Sequence, residues 1–382
     1  VRLKQYLEAK PLYYEKIDYT RMPRIYEKIK SSLSTPKIVH VIGTNGKGTT
    51  GRFLANALYS IGFDTGHYTS PHILEFNERV WINGSNATDL ELENAHQELQ
   101  KILTCDDAES LSYFEYTTLL AIIIFRECEY VVMEAGLGGE HDATSVFPKC
   151  LTLVTPIGYD HEAFLGSNIE QIATTKLNAI QNSAIIAAQS YPEVYRVAEQ
   201  IASQRALNIY RVDEFIKDLD REKINQIANR LALVPYLKDN LTLGIAALNF
   251  LKIKYETNDF KNPPLFGRLS KISENIIVDV GHNVLAAQGI VKALEGDKYI
   301  IIYNSYKDKN YKEILSILKP IILHVEIITI NEQRVESIET IKSTLKNLKI
   351  EYNIFKEIKP EFKYLVFGSF SVVERFLREH YE

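Results

Sequence analysis

Cysteine is scarce in this chain. The three present, Cys105, Cys128 and Cys150, show no CxxC spacing and are odd in number, which excludes a disulfide framework and fits reduced thiols inside a cell. Long apolar runs are missing too: none approaches the ~18 residues that a membrane helix needs, and no secretory segment is expected before the first strand. The expectation is a cytoplasmic protein that does not engage a membrane. Charge of one sign is also absent. With 44 Lys+Arg against 49 Asp+Glu the net charge is -5, which gives no global pull toward nucleic acid, so any anion must be held by a local constellation. There is no internal repeat and no low-complexity tract. What remains, 46% hydrophobic and 24% charged residues, is the composition of an ordinary globular protein, and 382 residues exceed what one hydrophobic core usually serves.

The most informative local feature is a glycine-rich loop with a lysine, Gly43-Thr44-Asn45-Gly46-Lys47-Gly48-Thr49-Thr50. It follows the apolar run 37–42 and opens the amphipathic stretch 51–61. The run reads as a buried parallel strand, the glycines let backbone N–H groups approach phosphate oxygens, and the following helix presents its positive end to the anion. Lys47 would neutralise terminal phosphates, and Thr49 or Thr50 could reach a metal. The spacing departs from GxxxxGK[ST], because Gly48 sits between the lysine and the hydroxyl residues. The plain alternative is an ordinary turn.

Strand-like and helix-like segments alternate along the rest of the chain, which argues for an α/β protein with a mostly parallel sheet and right-handed crossovers. Strands are expected at 130–133, 151–154, 184–188 and 209–212, with helical patterns at 114–127, 169–180 and 192–206. The polar stretch 254–264, ending in Asn262-Pro263-Pro264, looks like a linker. Beyond it a second alternation places strands at 276–280, 299–303, 325–330 and 364–367, enough for a small Rossmann-like unit. The expected organisation is a P-loop domain over 1–258, a linker over 259–266 and a Rossmann-like α/β domain over 267–382.

Chemistry belongs just past the carboxyl ends of such strands. The run 130–133 ends in Glu134 and then Gly136-Leu137-Gly138-Gly139, one carboxylate followed by a flexible turn. A Mg²⁺ ligand fits there, because this hard ion takes oxygen donors and is usually held by one or two carboxylates plus nucleotide phosphates. The alternative for Glu134 is a capping or surface acid. Asp160-His161 follows the next strand in the same way; a lone histidine there is more often structural, and the pair improves the functional case.

These residues and their order carry a resemblance. GTNGKGT at 43–49, Ser70-Pro71-His72 with Phe76-Asn77-Glu78-Arg79, Phe114-Glu115 with Thr118, and Glu134 with Gly136-Leu137-Gly138-Gly139 and Asp142-Ala143-Thr144 occur in sequence. Asp160-His161 with Leu165-Gly166, Gly267-Arg268-Leu269 and Asp279-Val280-Gly281-His282-Asn283 follow. Together they resemble the motifs of the folylpolyglutamate synthase and dihydrofolate synthase family within the Mur ligase superfamily. The fold this implies is a Mur ligase-like central P-loop domain followed by a smaller Rossmann-like domain.

The resemblance implies an ADP-forming amide ligase. ATP would phosphorylate a carboxylate on a pterin substrate, the amine of L-glutamate would attack the acyl phosphate, and phosphate would leave. Dihydropteroate and reduced folates would both be substrates, making the enzyme bifunctional. By this resemblance two Mg²⁺ ions would be held by Ser70, Glu134, His161 and a carbamylated Lys176. The catalytic set would be Lys47, Lys176, His161, Asp279 and His282. Nucleotide contacts would come from the loop 43–50, Asn240, Arg268 and Asp279. For Lys176 the alternative is a solvated helix lysine; for Asp279 and His282 it is a turn bonded to backbone. An HQ…N motif that contacts adenine in the family is reduced here to Asn240, with Tyr236 and Leu237 at its first two positions. Tyr13, Tyr14 and Tyr19, with Met22 and Pro23, could pack on the pterin or cover the sheet, and 71–79 is the better candidate for a loop beside it. The expected partners are small molecules alone, and the expected state is a monomer. Two other readings stand beside this one: another Mur-type amino-acid ligase, against which the Gly-Lys-Gly loop argues, and a nucleotide-binding homologue without turnover.

Overall fold

The computed structural model describes residues 2–11, 18–261 and 265–380. The chain divides into two compact units, the first running through Asn262 apart from Tyr159–His161 and Val234–Tyr236, which group with the second.

The first unit is built on eight strands: β1 (Lys37–Ile42), β2 (Thr65–Tyr68), β3 (Val80–Ile82), β4 (Ser85–Asn86), β5 (Tyr130–Glu134), β6 (Leu151–Val154), β7 (Ser183–Ile186) and β8 (Asn208–Arg211). They lie in the order β4-β3-β2-β5-β1-β6-β7-β8. From β2 to β8 every pairing is parallel, and β3 and β4 add an antiparallel edge. The sequence pattern explains the centre. Strands β1 and β5 are apolar almost throughout because helices cover both faces, and alternate residues serve different cores. Ile38, Val131 and Met133 join Tyr26, Tyr116 and Leu120 on one side. Val39, Val41 and Val132 join Phe53, Leu54, Leu58 and Leu241 on the other. The carboxyl ends of β1 and its neighbours β5 and β6 thus come together where the chain order switches direction, the usual ligand position in such sheets.

The second unit adds β9 (Ser270–Lys271), β10 (Ile276–Asp279), β11 (Tyr299–Tyr303), β12 (Ile322–Ile327), β13 (Tyr352–Ile354) and β14 (Tyr364–Phe367). Their order is β13-β12-β11-β14-β10-β9, parallel except for β9. Its core is mostly aliphatic with a few rings: Ile301, Ile327, Leu365 and Phe367 from the sheet meet Ile290, Leu315 and Ile341 from the helices.

Several expectations shift. The strand expected at 325–330 begins at Ile322, because Pro320 sits in a short 3-10 turn, Lys319–Ile321, that hands the chain directly into the sheet. The antiparallel edge β3–β4 carries no strong apolar run and is not anticipated. The polar stretch 254–264 is packed over its first half, since Tyr255 and Phe260 are buried in the core of the first unit, Phe260 at 1% exposure. The Asn262-Pro263-Pro264 end of that stretch, like Tyr13 and Tyr14, lies outside the described residues. No helix among the described residues is long and apolar enough to cross a membrane.

Candidate active site

The glycine-rich loop leaves β1 and enters the helix Lys47–Ile61. Its shape is fixed from three sides. Thr44 and Asn45 donate their backbone N–H groups to the Pro156 carbonyl at 2.9 and 3.2 Å. The Thr44 hydroxyl is held between the backbone N–H and carbonyl of Gly158. Gly46 has φ of 87°, in the left-handed region, and a Cβ there would collide with the Asn240 side chain. Asn240, buried on the helix Pro235–Phe250, therefore braces the loop from behind.

The loop is shaped for an anion and a cation. Gly46 caps the helix without a side-chain acceptor, so the first-turn N–H groups lack the partner that a serine or aspartate would supply. The hydroxyls of Thr49 and Thr50 are buried with no hydrogen-bond partner. Buried hydroxyls are rarely left so, and these two fit a site completed by phosphate and its metal. Lys47 donates to the Thr44 carbonyl at 3.2 Å, and its Nζ stands 3.8 Å from Glu134 Oε1.

Glu134 ends β5 and is 5% exposed. Its Oε2 accepts a short hydrogen bond from the Thr69 hydroxyl and a longer one, 3.2 Å, from the Ser70 backbone N–H. The surface-acid alternative does not apply. Lys176, on the helix Ile169–Leu177, is 4% exposed and donates from Nζ to the Gly43 carbonyl at 3.0 Å, so it is not a solvated helix lysine either. The structure thus brings the loop 43–50, Ser70, Glu134, Lys176 and Asn240 into the first unit. Among the described residues no group of three or more His, Cys, Asp or Glu side chains forms a ready-made metal cage.

His161, Arg268, Asp279 and His282 belong to the second unit. Asp160 is its electrostatic centre. Burial opposes its ionisation, but the nearby His282 and His161 rings and the Lys309 ammonium outweigh that and hold its carboxyl well below the usual range. Lys309 Nζ lies 2.6 Å away, Asn283 Nδ2 donates at 3.1 Å, and His282 Nε2 stands 3.6 Å off. His161 takes φ of 53°, unusual for a non-glycine residue. Asp279, at the end of β10, accepts from the backbone of Gly281 at 2.7 Å and of Leu269 at 2.9 Å, and from the Tyr236 hydroxyl at 3.1 Å. Burial raises its pKa despite these donors. Arg268 lies 5.7 Å from the Phe370 ring centre.

Sequence reasoning missed Lys309 and the Tyr236–Asp279 bond. The rule that points past β5 also points past β11, where Asn304 and Lys309 follow; nothing local marks Tyr236. Tyr19 is exposed and its ring lies 4.5 Å from that of His141.

A preformed phosphate loop at the switch point of a parallel sheet, with its lysine facing a buried carboxylate, defines a P-loop nucleotide-dependent enzyme carrying a second parallel α/β unit. No protein-family model matches the chain. A dihydrofolate synthase/folylpolyglutamate synthase of Buchnera aphidicola subsp. Baizongia pistaciae is 31% identical over 370 residues, covering 89% of this chain and 86% of the relative. Helicobacter pylori folylpolyglutamate synthetase superposes with a TM-score of 0.79 at 38% identity, over 99% of this chain and 97% of its own. E. coli FolC, solved in complex with DHPP and ADP, gives a TM-score of 0.81 at 25% identity, over 98% and 96%. The chain belongs to the dihydrofolate synthase/folylpolyglutamate synthase family.

Proposed function

We propose that this protein is an ATP-dependent amide ligase that joins L-glutamate to dihydropteroate and to reduced folates. The carrying observation is the loop itself: Lys47 beside buried Glu134, with the Thr49 and Thr50 hydroxyls unpartnered, in a chain whose relatives bear both activities in their names.

The chemistry follows from the substrates. A carboxylate is a poor acyl donor because oxide is a poor leaving group, so its oxygen is first phosphorylated by ATP. Lys47 and the N–H groups at the start of the helix Lys47–Ile61 offset charge on the transferred phosphoryl group. A divalent cation bound with ATP, which Glu134, Ser70 and the Thr49 hydroxyl are suited to hold, supplies Lewis-acid stabilisation of the same charge. Asn240 keeps the loop in its phosphate-binding shape. The glutamate amine then attacks the acyl phosphate, and phosphate departs.

The finer assignments are part of the same proposal. Burial of Lys176 beside Gly43 supports a role for its Nζ at the phosphate site, and carbamylation would turn a cation into an oxygen ligand for a second Mg²⁺. Arg268 would contact the nucleotide, while Asp279 and His282 shape the turn that receives the incoming amino acid. The protein would act as a cytoplasmic monomer.

The test is product analysis with Mg-ATP, labelled L-glutamate and either dihydropteroate or tetrahydrofolate. Label in both pterin products is expected. Label in one alone would restrict the activity, and nucleotide binding without label would mark a homologue without turnover. Lys176→Ala should abolish ligation while ATP binding survives; full turnover in that variant would remove the carbamate.

A further inference from the structure

A buried guanidinium normally meets a carboxylate, because an unpaired charge away from water is expensive. Arg21 obeys this, reaching Glu115 at 2.7 Å. Arg79 does not. It is 8% exposed, its Nε donates to His72 Nδ1 at 2.8 Å, and its charge lies 5.3 Å from the Tyr113 ring centre and 6.0 Å from that of Phe76. Among the described residues no carboxylate pairs with it.

Arg52 is also without an acid, and the contrast is instructive. Its Nε donates to His67 Nδ1 at 3.1 Å, and one of its terminal nitrogens is sealed from solvent with no partner, so no ligand reaches that nitrogen. The terminal nitrogens of Arg79 are not among the sealed, unpartnered atoms. They can be reached.

The segment carrying Arg79 is built rather than loose. The Glu78 carboxylate accepts from the backbone N–H groups of Ile73, Leu74 and Glu75, each at 2.8 Å, and Asn77 Nδ2 holds the Ala87 carbonyl at 2.8 Å. The Arg79 carbonyl accepts from Thr69 N–H at 3.0 Å, and the Thr69 hydroxyl in turn bonds to Glu134. Arg79 is therefore tied to the phosphate site by two hydrogen bonds. Beside it stand half-buried rings, Tyr113 and Phe76, with Phe114 packed where a Cβ on Gly136 would otherwise lie.

We propose that Arg79 receives the benzoate-type carboxylate of the pterin substrate and sets the enzyme's preference for the acid over neutral analogues. This rests on the ligase reading above. A planar aryl carboxylate matches what the residues offer: two parallel N–H donors for the carboxylate oxygens and apolar ring faces for the aromatic body. A carboxamide of the same shape would turn an NH₂ toward one of those donors. Arg79 is thus a specificity-determining residue, and lysine cannot replace it fully because it lacks the fork.

The experiment titrates the full chain, with Mg-ADP present, against dihydropteroate and its carboxamide, for the parent, Arg79→Gln and Arg79→Lys, with thermal melts of each. The parent should bind the acid about tenfold to a hundredfold tighter than the amide, as a charge-assisted pair implies. Arg79→Gln should bind the two alike, and Arg79→Lys should fall between. An Arg79→Gln that keeps the parent's preference, or a parent with none, overturns the proposal. Should Arg79→Gln fail to melt cooperatively, Arg79→Lys decides, and full retention of the preference overturns it. The parent's glutamate ligation is measured alongside: absence of ligation defeats the ligase reading and this inference with it, whereas ligation with an unchanged preference in Arg79→Gln defeats this inference alone.

Discussion

At the scale of single residues, the site depends on positions where one side chain is tolerated for a physical reason. Gly46 illustrates this. Its φ of 87° disfavours any Cβ, and Asn240 occupies the space a Cβ would need. Gly46→Ala should raise the KM for ATP about fivefold to 150-fold, since a shift near 1–3 kcal/mol falls on the phosphate-binding conformation; steady-state kinetics check it. Adding Asn240→Ala frees the space but not the dihedral, so rescue should be partial. Asp160 is the counterpart in the second unit. Asp160→Asn leaves buried Lys309 with only Asp308, at 3.3 Å, as a charge partner, and should cost about 1.5–3 kcal/mol in urea unfolding. Lys47 and Glu134 were legible because a glycine loop and a strand-end carboxylate announce themselves in a short window. Lys309 was not, and Arg79 was legible only as part of the 71–79 loop, since what marks each of them is a missing or distant partner, and partnership across the fold is invisible to local pattern.

Elements were more legible than their edges. Strands β1, β5, β6, β11 and β14 fall where continuous apolar runs put them, since a central parallel strand must be apolar on both faces. The edge strands β4, β9 and β13 are short and partly polar, and β3 is only three residues long, so their sequence does not separate them from loops. The turn around Arg268 shows how an element is held by something no window contains. Ser270 Oγ accepts from the Gly267 and Arg268 N–H groups, Asp279 accepts from Leu269, and Tyr236, brought in from a distant segment, donates to Asp279. The tyrosine hydroxyl is buried and its pKa is pushed well above the usual value by that burial and by Asp279, so it remains a donor. Tyr236→Phe removes this bond and nothing else in volume. It should lower stability by about 1–3 kcal/mol and raise the KM for ATP severalfold with kcat little changed, if the turn is what aims Arg268. A lowered urea midpoint with an unchanged KM would reduce Tyr236 to a structural peg.

For the whole molecule, the buried histidines set how stability responds to acid. His40 on β1 and His67 on β2 are fully buried, and burial, aided by Lys149 for His40 and Arg52 for His67, pushes both pKa values well below 6.5. The sign follows directly. Below pH 6.5 the unfolded chain takes up protons at these positions and the native state does not, so stability falls as pH falls. Each histidine contributes a slope of about 1.4 kcal/mol per pH unit until its own native pKa is reached. Asp160, whose pKa is depressed, contributes stability that is complete above 3.8 and lost only in stronger acid, so it adds no slope in this window. Asp142 and Asp279 act with the opposite sign, because burial raises their pKa values and the native state gains protons before the unfolded chain does. A bare pH profile therefore mixes opposing terms, and the difference between two proteins separates them. Urea unfolding of the parent and of His67→Gln at pH 7.5, 6.5 and 5.5 should show the parent losing about 1 kcal/mol more than the variant over the last unit, because the unfolded histidine is only half protonated at its start. Equal losses would mean that His67 is protonated in the folded protein, and that the Arg52–His67 contact of the first unit reorganises in acid.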